Sequence, residues 1–147
     1  PISGHDYRAV AEYVRGLVPR MRVLFVVDTL EYLHKGGRIG GAKRLVGSVL
    51  SIKPVLHIEN GQIEPLASVR TKSKAIAHML EIVLGEMSGK QNIHAGVIHA
   101  NAPNDAAYVM QQILAAVQPQ EFLSNELTPV IGANVGPGVV GMGYYTE

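Results

Sequence analysis

The sequence predicts an α+β two-layer sandwich: a mixed or mainly antiparallel sheet with helices packed on one face. Three observations carry that expectation. Residues 22–28 form a valine-rich apolar run of strand length, two alternating segments meet at Asn60-Gly61, and residues 71–87 and 106–117 show helical periodicity. Hairpins interleaved with amphipathic helices need a sheet that the helices can cover, and no repeat or low-complexity tract interrupts the pattern.

The elements follow in order. Tyr7, Val10, Val14, Leu17 and Val18 recur at helical spacing across 3–18, with Ser3 and Asp6 in a capping-box arrangement and Pro19 as the stop. The run 22–28 reads as a strand buried on both faces. Asp28 or Thr29 then caps a short helix through Leu33 that Gly36-Gly37 ends. A second helix is predicted from about Ala42 to Leu50, with Leu45, Val46, Val49 and Leu50 on one face. Strands at 54–60 and 62–69 flank the Asn-Gly turn. Thr71 is the N-cap of a long helix whose apolar positions are Ile76, Met79, Leu80, Val83, Leu84 and Met87. A strand at 92–99 and a turn at 101–105 lead into a helix carried by Ala106, Met110, Ile113, Leu114 and Val117. Glu121 to Leu127 reads as a short strand, and the tail from Pro129 as Gly-rich loop followed by a last strand at about 138–145.

Composition narrows the function. The 147 residues suit one domain with a real core, and 13 Lys+Arg against 12 Asp+Glu, with no basic run, leave no electrostatic footprint for nucleic acid. The absence of Cys excludes a disulfide scaffold, a thiol nucleophile and Cys-ligated zinc, and agrees with a cytoplasmic location. No apolar stretch reaches the ~20 residues of a membrane helix, so no membrane span is expected. The start at Pro1-Ile2-Ser3-Gly4, without Met, suggests a processed or truncated piece.

Few residues carry chemistry. Gly136-Pro-Gly138-Val-Val-Gly141 matches the letters of a dinucleotide fingerprint but lacks the following helix and strand, so it reads as a turn where backbones or a ligand approach closely. His94 and His99 have no metal-ligand spacing, and no metal or cofactor is expected. Asp28 and Glu31 read as helix-start capping rather than an acid/base pair. Arg70-Thr71 falls where a strand ends and a helix begins, which offers either a seat for a carboxylate or an ordinary surface arginine. Arg38, within Gly36-Gly37-Arg38-Ile39-Gly40-Gly41, sits in a tight loop that admits a close partner or merely links two helices.

Three motifs in order, DTLEYLHKGGRIGGAKRLVGSVLSIKPVL at 28–56, SVRTKSKAI at 68–76 and ELTPVIGANVGPGVVGMGYY at 126–145, resemble the DegV family of bacterial fatty-acid-binding proteins. The resemblance spans nearly the whole chain. It implies residues 1–147 to be the C-terminal domain of a two-domain protein, with 1–20 as a leading helix and a Rossmann-like N-terminal domain absent. It further implies a non-enzymatic carrier that buries the tail of a long-chain fatty acid and presents the carboxylate to a fatty acid kinase-like protein. Carried over, the Arg of the RT motif is Arg70, followed by Thr71. The Gly-Ala/Ser/Thr-His loop becomes Gly132-Ala133-Asn134, where Asn134 replaces a frequent His and cannot become cationic. Arg38 is implied as an ordering element near the domain junction or the kinase-docking surface. Val23, Phe25, Val55, Leu56, Val97 and Ile98, with the two long helices, are candidate tunnel walls. A subunit of a dihydroxyacetone-kinase-like enzyme and a lipid-responsive regulatory module are the alternatives.

Overall fold

The computed structural model describes residue 4, residues 6–47 and residues 52–146. Helix α1 (Tyr7–Leu17) starts at Asp6, whose carboxylate accepts from the Arg8 N–H at 3.5 Å; Ser3 lies outside the described residues. None of its residues is buried, and Tyr7, Tyr13 and Val14 are exposed. Pro19 turns the chain through Val18–Arg20 into β1 (Arg22–Val26). The Thr29 hydroxyl accepts from the Glu31 N–H at 3.2 Å and starts α2 (Glu31–Lys35), which ends at Gly36.

The helix expected from Ala42 to Leu50 is not formed as such: Gly40–Leu45 is a 3-10 turn, Val46 is extended, and 48–51 lie outside the described residues. The cause is tertiary. Gly40, at φ +52°, lies flat on the neighbouring hairpin, where a Cβ would come within 2.9 Å of the Ile63 nitrogen. That close backbone approach wins over local helical periodicity.

Strands β2 (Lys53–Glu59) and β3 (Gln62–Val69) form the expected hairpin, with Asn60 at φ 51° and Gly61 at φ 77° as a two-residue primed turn requires. Helix α3 (Lys72–Met87) is capped by Thr71, which accepts from the Lys74 N–H at 3.4 Å. Then come β4 (Ile93–His99), α4 (Pro103–Ala116) and β5 (Glu121–Glu126). The tail departs from expectation, because Pro129–Val135 is a helix, α5, rather than loop; β6 (Val140–Thr146) follows.

The six strands lie in the order β3-β2-β1-β6-β4-β5. Every neighbouring pair is antiparallel except β4–β5, which α4 joins as a parallel crossover. This is the expected mixed, mainly antiparallel sheet, with α3 and α4 on one face. Alternation sorts the side chains: Leu24, Val26, Val97 and Met142 face Met79, Val83, Val109 and Ile113 in a dry core beneath those helices. Each such large side chain contributes about 1.5–3 kcal/mol by burial. The opposite face carries a smaller cluster, Phe25, Val27, Leu56 and Val139 with Leu33, Ile39 and Ala42, covered only by short segments.

Candidate ligand-binding site

The thin cover on that second face leaves a cavity of about 360 Å³. Its floor is Val23 and Phe25 of β1, Ile98 of β4 and Val139. Ile58 and Ile63 of the hairpin form one side, while Leu33 of α2 and Val130, Ile131 and Val135 of α5 form the roof. Val130 is 77% exposed and Ile131 48%, so the cavity is open along α5. Among the described residues, Arg38 and Asn134 are its only polar lining groups.

Both polar groups converge on Gly36. Asn134 donates from Nδ2 to the Val130 carbonyl at 2.9 Å, across one turn of α5, and its Oδ1 lies where a Gly36 Cβ would come within 2.6 Å. Arg38 donates from Nη1 to the Gly36 carbonyl at 2.7 Å while its side chain stays exposed. The glycine run thus has a structural account. Gly36 admits the Asn134 amide, Gly37 turns the chain at φ +66°, Ile39 anchors in the core, and Gly40 lies on β3. The result is an aliphatic chamber with a guanidinium and an amide at one rim, a layout that holds a greasy molecule with one hydrogen-bonding or anionic end.

The other residues expected at the site lie elsewhere. Gly132 and Ala133 belong to the turn of α5; the Gly132 carbonyl accepts from the Gly136 N–H at 2.8 Å, and neither residue lines the cavity. Thr71 is engaged as the α3 cap. Arg70 is exposed at the far end of β3, seven residues beyond Ile63, a run of about 23 Å at 3.3 Å per residue. The cavity therefore brings Arg38 and Asn134 together and leaves Arg70 and Thr71 outside. Of the suggested walls, Val23, Phe25 and Ile98 line it, whereas Val55, Val97, α3 and α4 pack the core on the other face of the sheet.

Asp28 is not the helix cap expected of it: its side chain meets Lys53 Nζ at 3.5 Å and Lys72 Nζ at 3.6 Å, and Lys72 also meets Asp105 at 2.8 Å. Gly136 (φ +83°) and Gly138 (φ +84°) are close-approach positions, the first against the Tyr32 ring and the second against the Asp28 carboxylate. The described residues contain no His/Cys/Asp/Glu group able to hold a metal ion. Sequence reasoning missed the remaining apolar lining, among it Leu33, Ile58, Ile63, Val130 and Ile131. The available signal was Thr128-Pro129, a residue suited to capping before Pro at the first helical position, followed by Val130, Ile131, Asn134 and Val135 on one helical face.

A six-stranded α+β domain with an apolar cavity on the thinly covered face of its sheet is the class that fold and site define. The chain belongs to the DegV family, described as "Uncharacterised protein, DegV family", which it matches over residues 2–147. It is 38% identical over 145 residues to a DegV domain-containing protein of Halalkalibacterium halodurans, covering 99% of this chain and 51% of that one. It is 36% identical over 122 residues to protein DegV of Bacillus subtilis, covering 83% of this chain and 43% of that one. The chain thus spans about half the length of these curated relatives. Among solved structures, a fatty-acid-binding DegV family protein from Thermus thermophilus superposes with a TM-score of 0.90 at 34% identity, covering 99% of this chain and 52% of that one. DegV of Bacillus subtilis, described as a fatty acid binding protein, gives 0.79 at 30% identity, with coverage of 97% and 50%.

Proposed function

We propose that the chain is the acyl-holding part of a non-enzymatic fatty acid carrier. The tail of a long-chain fatty acid occupies the aliphatic cavity, and its carboxylate sits at the rim by Arg38 and Asn134. The observation that carries this reading is the lining itself: eleven aliphatic or aromatic side chains and, among the described residues, two polar ones that both meet Gly36. Its support from kinship is the fatty acid binding described for the Thermus and Bacillus proteins. Burial of a C16 tail at ~0.8 kcal/mol per methylene is worth ~10 kcal/mol before ordering costs. A charge-assisted contact adds only ~1.5–3 kcal/mol and decides which end points out.

Arg38 replaces Arg70 as the head-group residue in this reading, because a carboxylate must reach the guanidinium while its tail stays in the chamber. Arg70, exposed on the surface, is left to recruit a fatty acid kinase-like partner, which supplies all catalysis. The enzyme-subunit alternative needs a small polar pocket with a reachable histidine, and no histidine lines this cavity among the described residues. No described helix is long and apolar enough to cross a membrane, and a cytoplasmic carrier fits the absence of cysteine.

Organic extraction of the intact purified protein followed by mass spectrometry tests the proposal. Fatty acid at close to one per protein is expected. Protein that holds none and takes up none when palmitate is added overturns it.

A further inference from the structure

Beyond the cavity, the same face of the sheet carries two glycines that the fold does not need. Gly96 of β4 and Gly143 of β6 stand directly opposite each other, between Val23 of β1 and Leu123 of β5. Their neighbours Ala95, Val97, Met142 and Tyr144 point into the core under α3 and α4, so the pair lies on the other face, in line with the cavity floor. Neither has a positive φ. A Cβ on Gly143 would meet nothing nearer than 3.9 Å, and one on Gly96 nothing nearer than 3.4 Å, which is ordinary contact. Gly141, on the same face, is different, since a Cβ there would come within 2.7 Å of Phe25 Cβ. Glycine in a strand interior costs stability relative to alanine, and at 96 and 143 neither backbone conformation nor close packing requires it.

What the pair does produce is space. A trough of about 300 Å³ lies over it, walled by Met21, Val23, Ile98 and Leu123 and closed at one end by the His94–Tyr145 ring stack, centroids 4.7 Å apart. Val23 and Ile98 line both the trough and the cavity, so the two spaces adjoin. A tail that runs past Val23 and Ile98 leaves the cavity and enters the glycine-floored trough.

We propose that the Gly96–Gly143 pair is the floor of a distal extension of the acyl site and sets the longest tail the protein accepts. This rests on the fatty acid reading above. The head stays at Arg38 and Asn134, the tail crosses Val23 and Ile98, and its last carbons lie over bare backbone where any side chain would block them.

The test is a chain-length series, saturated C10 to C18 acids titrated against the delipidated intact protein and its Gly143→Val and Gly96→Val variants. Affinity for C16 and C18 is expected to fall at least tenfold in the variants, with C10 and C12 within twofold and the thermal midpoint not lowered. Gly143→Ala, which adds one carbon to an open space, is the second variant and should weaken C18 severalfold and C12 not at all. Equal losses at all lengths, or no loss at any, overturn the role of the trough while leaving the carrier reading intact. Wild-type protein that binds no acid of any length removes the carrier reading and the trough with it.

Discussion

Asn134 holds its amide oxygen against Gly36 so closely that a Cβ on Gly36 would lie 2.6 Å from Oδ1 and 3.1 Å from the Tyr32 carbonyl. Gly36 has φ −74°, which any residue adopts. The glycine is therefore required by its neighbour on α5, not by its own backbone, and it ties the α2 turn to the rim of the cavity. Gly36→Ala should push the Asn134 amide aside and weaken binding of palmitate severalfold while leaving its methyl ester unchanged. Calorimetric titration of both ligands checks this; equal losses for acid and ester would mean that the substitution distorts the tail chamber instead.

The two arginines separate by experiment. Arg38→Gln removes a cation beside the cavity, and loss of one charge-assisted contact, ~1.5–3 kcal/mol, corresponds to roughly a 10- to 100-fold weaker grip on a carboxylate. Arg70→Ala should leave affinity within twofold, because Arg70 lies outside the lining. It should slow acyl-phosphate formation by an added kinase. Fluorescence displacement and a kinase-coupled assay read the two quantities. Loss of affinity on Arg70→Ala with none on Arg38→Gln would return the carboxylate to Arg70.

Asn134→His places a titratable ring on the rim. An imidazole becomes cationic below its ordinary value of about 6.5, so the variant should bind a long-chain carboxylate as well as wild type at pH 8 and severalfold better at pH 6. Wild type should show no such step, since an amide has no proton to gain. A large loss at both pH values would show that the rim is fitted to a neutral amide.

Much of this was legible in the sequence, and what was not has a common physical cause. Asn60-Gly61, the Thr71 cap and the period of α3 are local signals, and each element they announce is present. The DegV resemblance, read from three motifs, is likewise met by the family match. The structure departs from the sequence pattern where distant neighbours decide the outcome. Gly40 sits on Ile63 of β3, so the segment after it tightened into a 3-10 turn. Asn134 falls on a stretch that reads as loop in the sequence, because four glycines between 132 and 141 outweigh the Pro129 start signal, yet it is helical. Arg38 and Arg70 were indistinguishable by type, and only the packing of α2 against α5 puts one beside the chamber. Core and cavity residues were inseparable because alternation assigns side chains to two faces without revealing which face is thinly covered.

A last prediction concerns the other face, where Glu86 of α3 ties the helix to the sheet. Arg22 of β1 donates to both its oxygens, at 2.9 and 2.8 Å, and the Tyr144 hydroxyl donates at 2.5 Å. The Arg22 hydrogen bond holds the Glu86 carboxyl below its ordinary value of 4.5, against the partial burial that opposes ionisation. Burial first, and then the bond to Glu86, keep the Tyr144 phenol protonated far above neutral pH. The sign for Glu86 follows from linkage: a carboxyl whose folded value is depressed lends stability that is fully present above the unfolded value and is lost as pH falls through the folded one. Glu86→Gln should therefore lower the thermal midpoint at pH 7 by about 3 °C, on the order of 1 kcal/mol for a partly exposed but bidentate pair. The gap between wild type and variant should narrow as pH drops below 4.5 and close once Glu86 is protonated in both states. Tyr144→Phe should destabilise by a similar amount at pH 7, since it deletes a hydroxyl donor beside a carboxylate that remains ionised. Thermal unfolding from pH 3 to 8 measures all three proteins, and a Glu86→Gln deficit that persists undiminished at pH 3 would assign the loss to packing instead of charge.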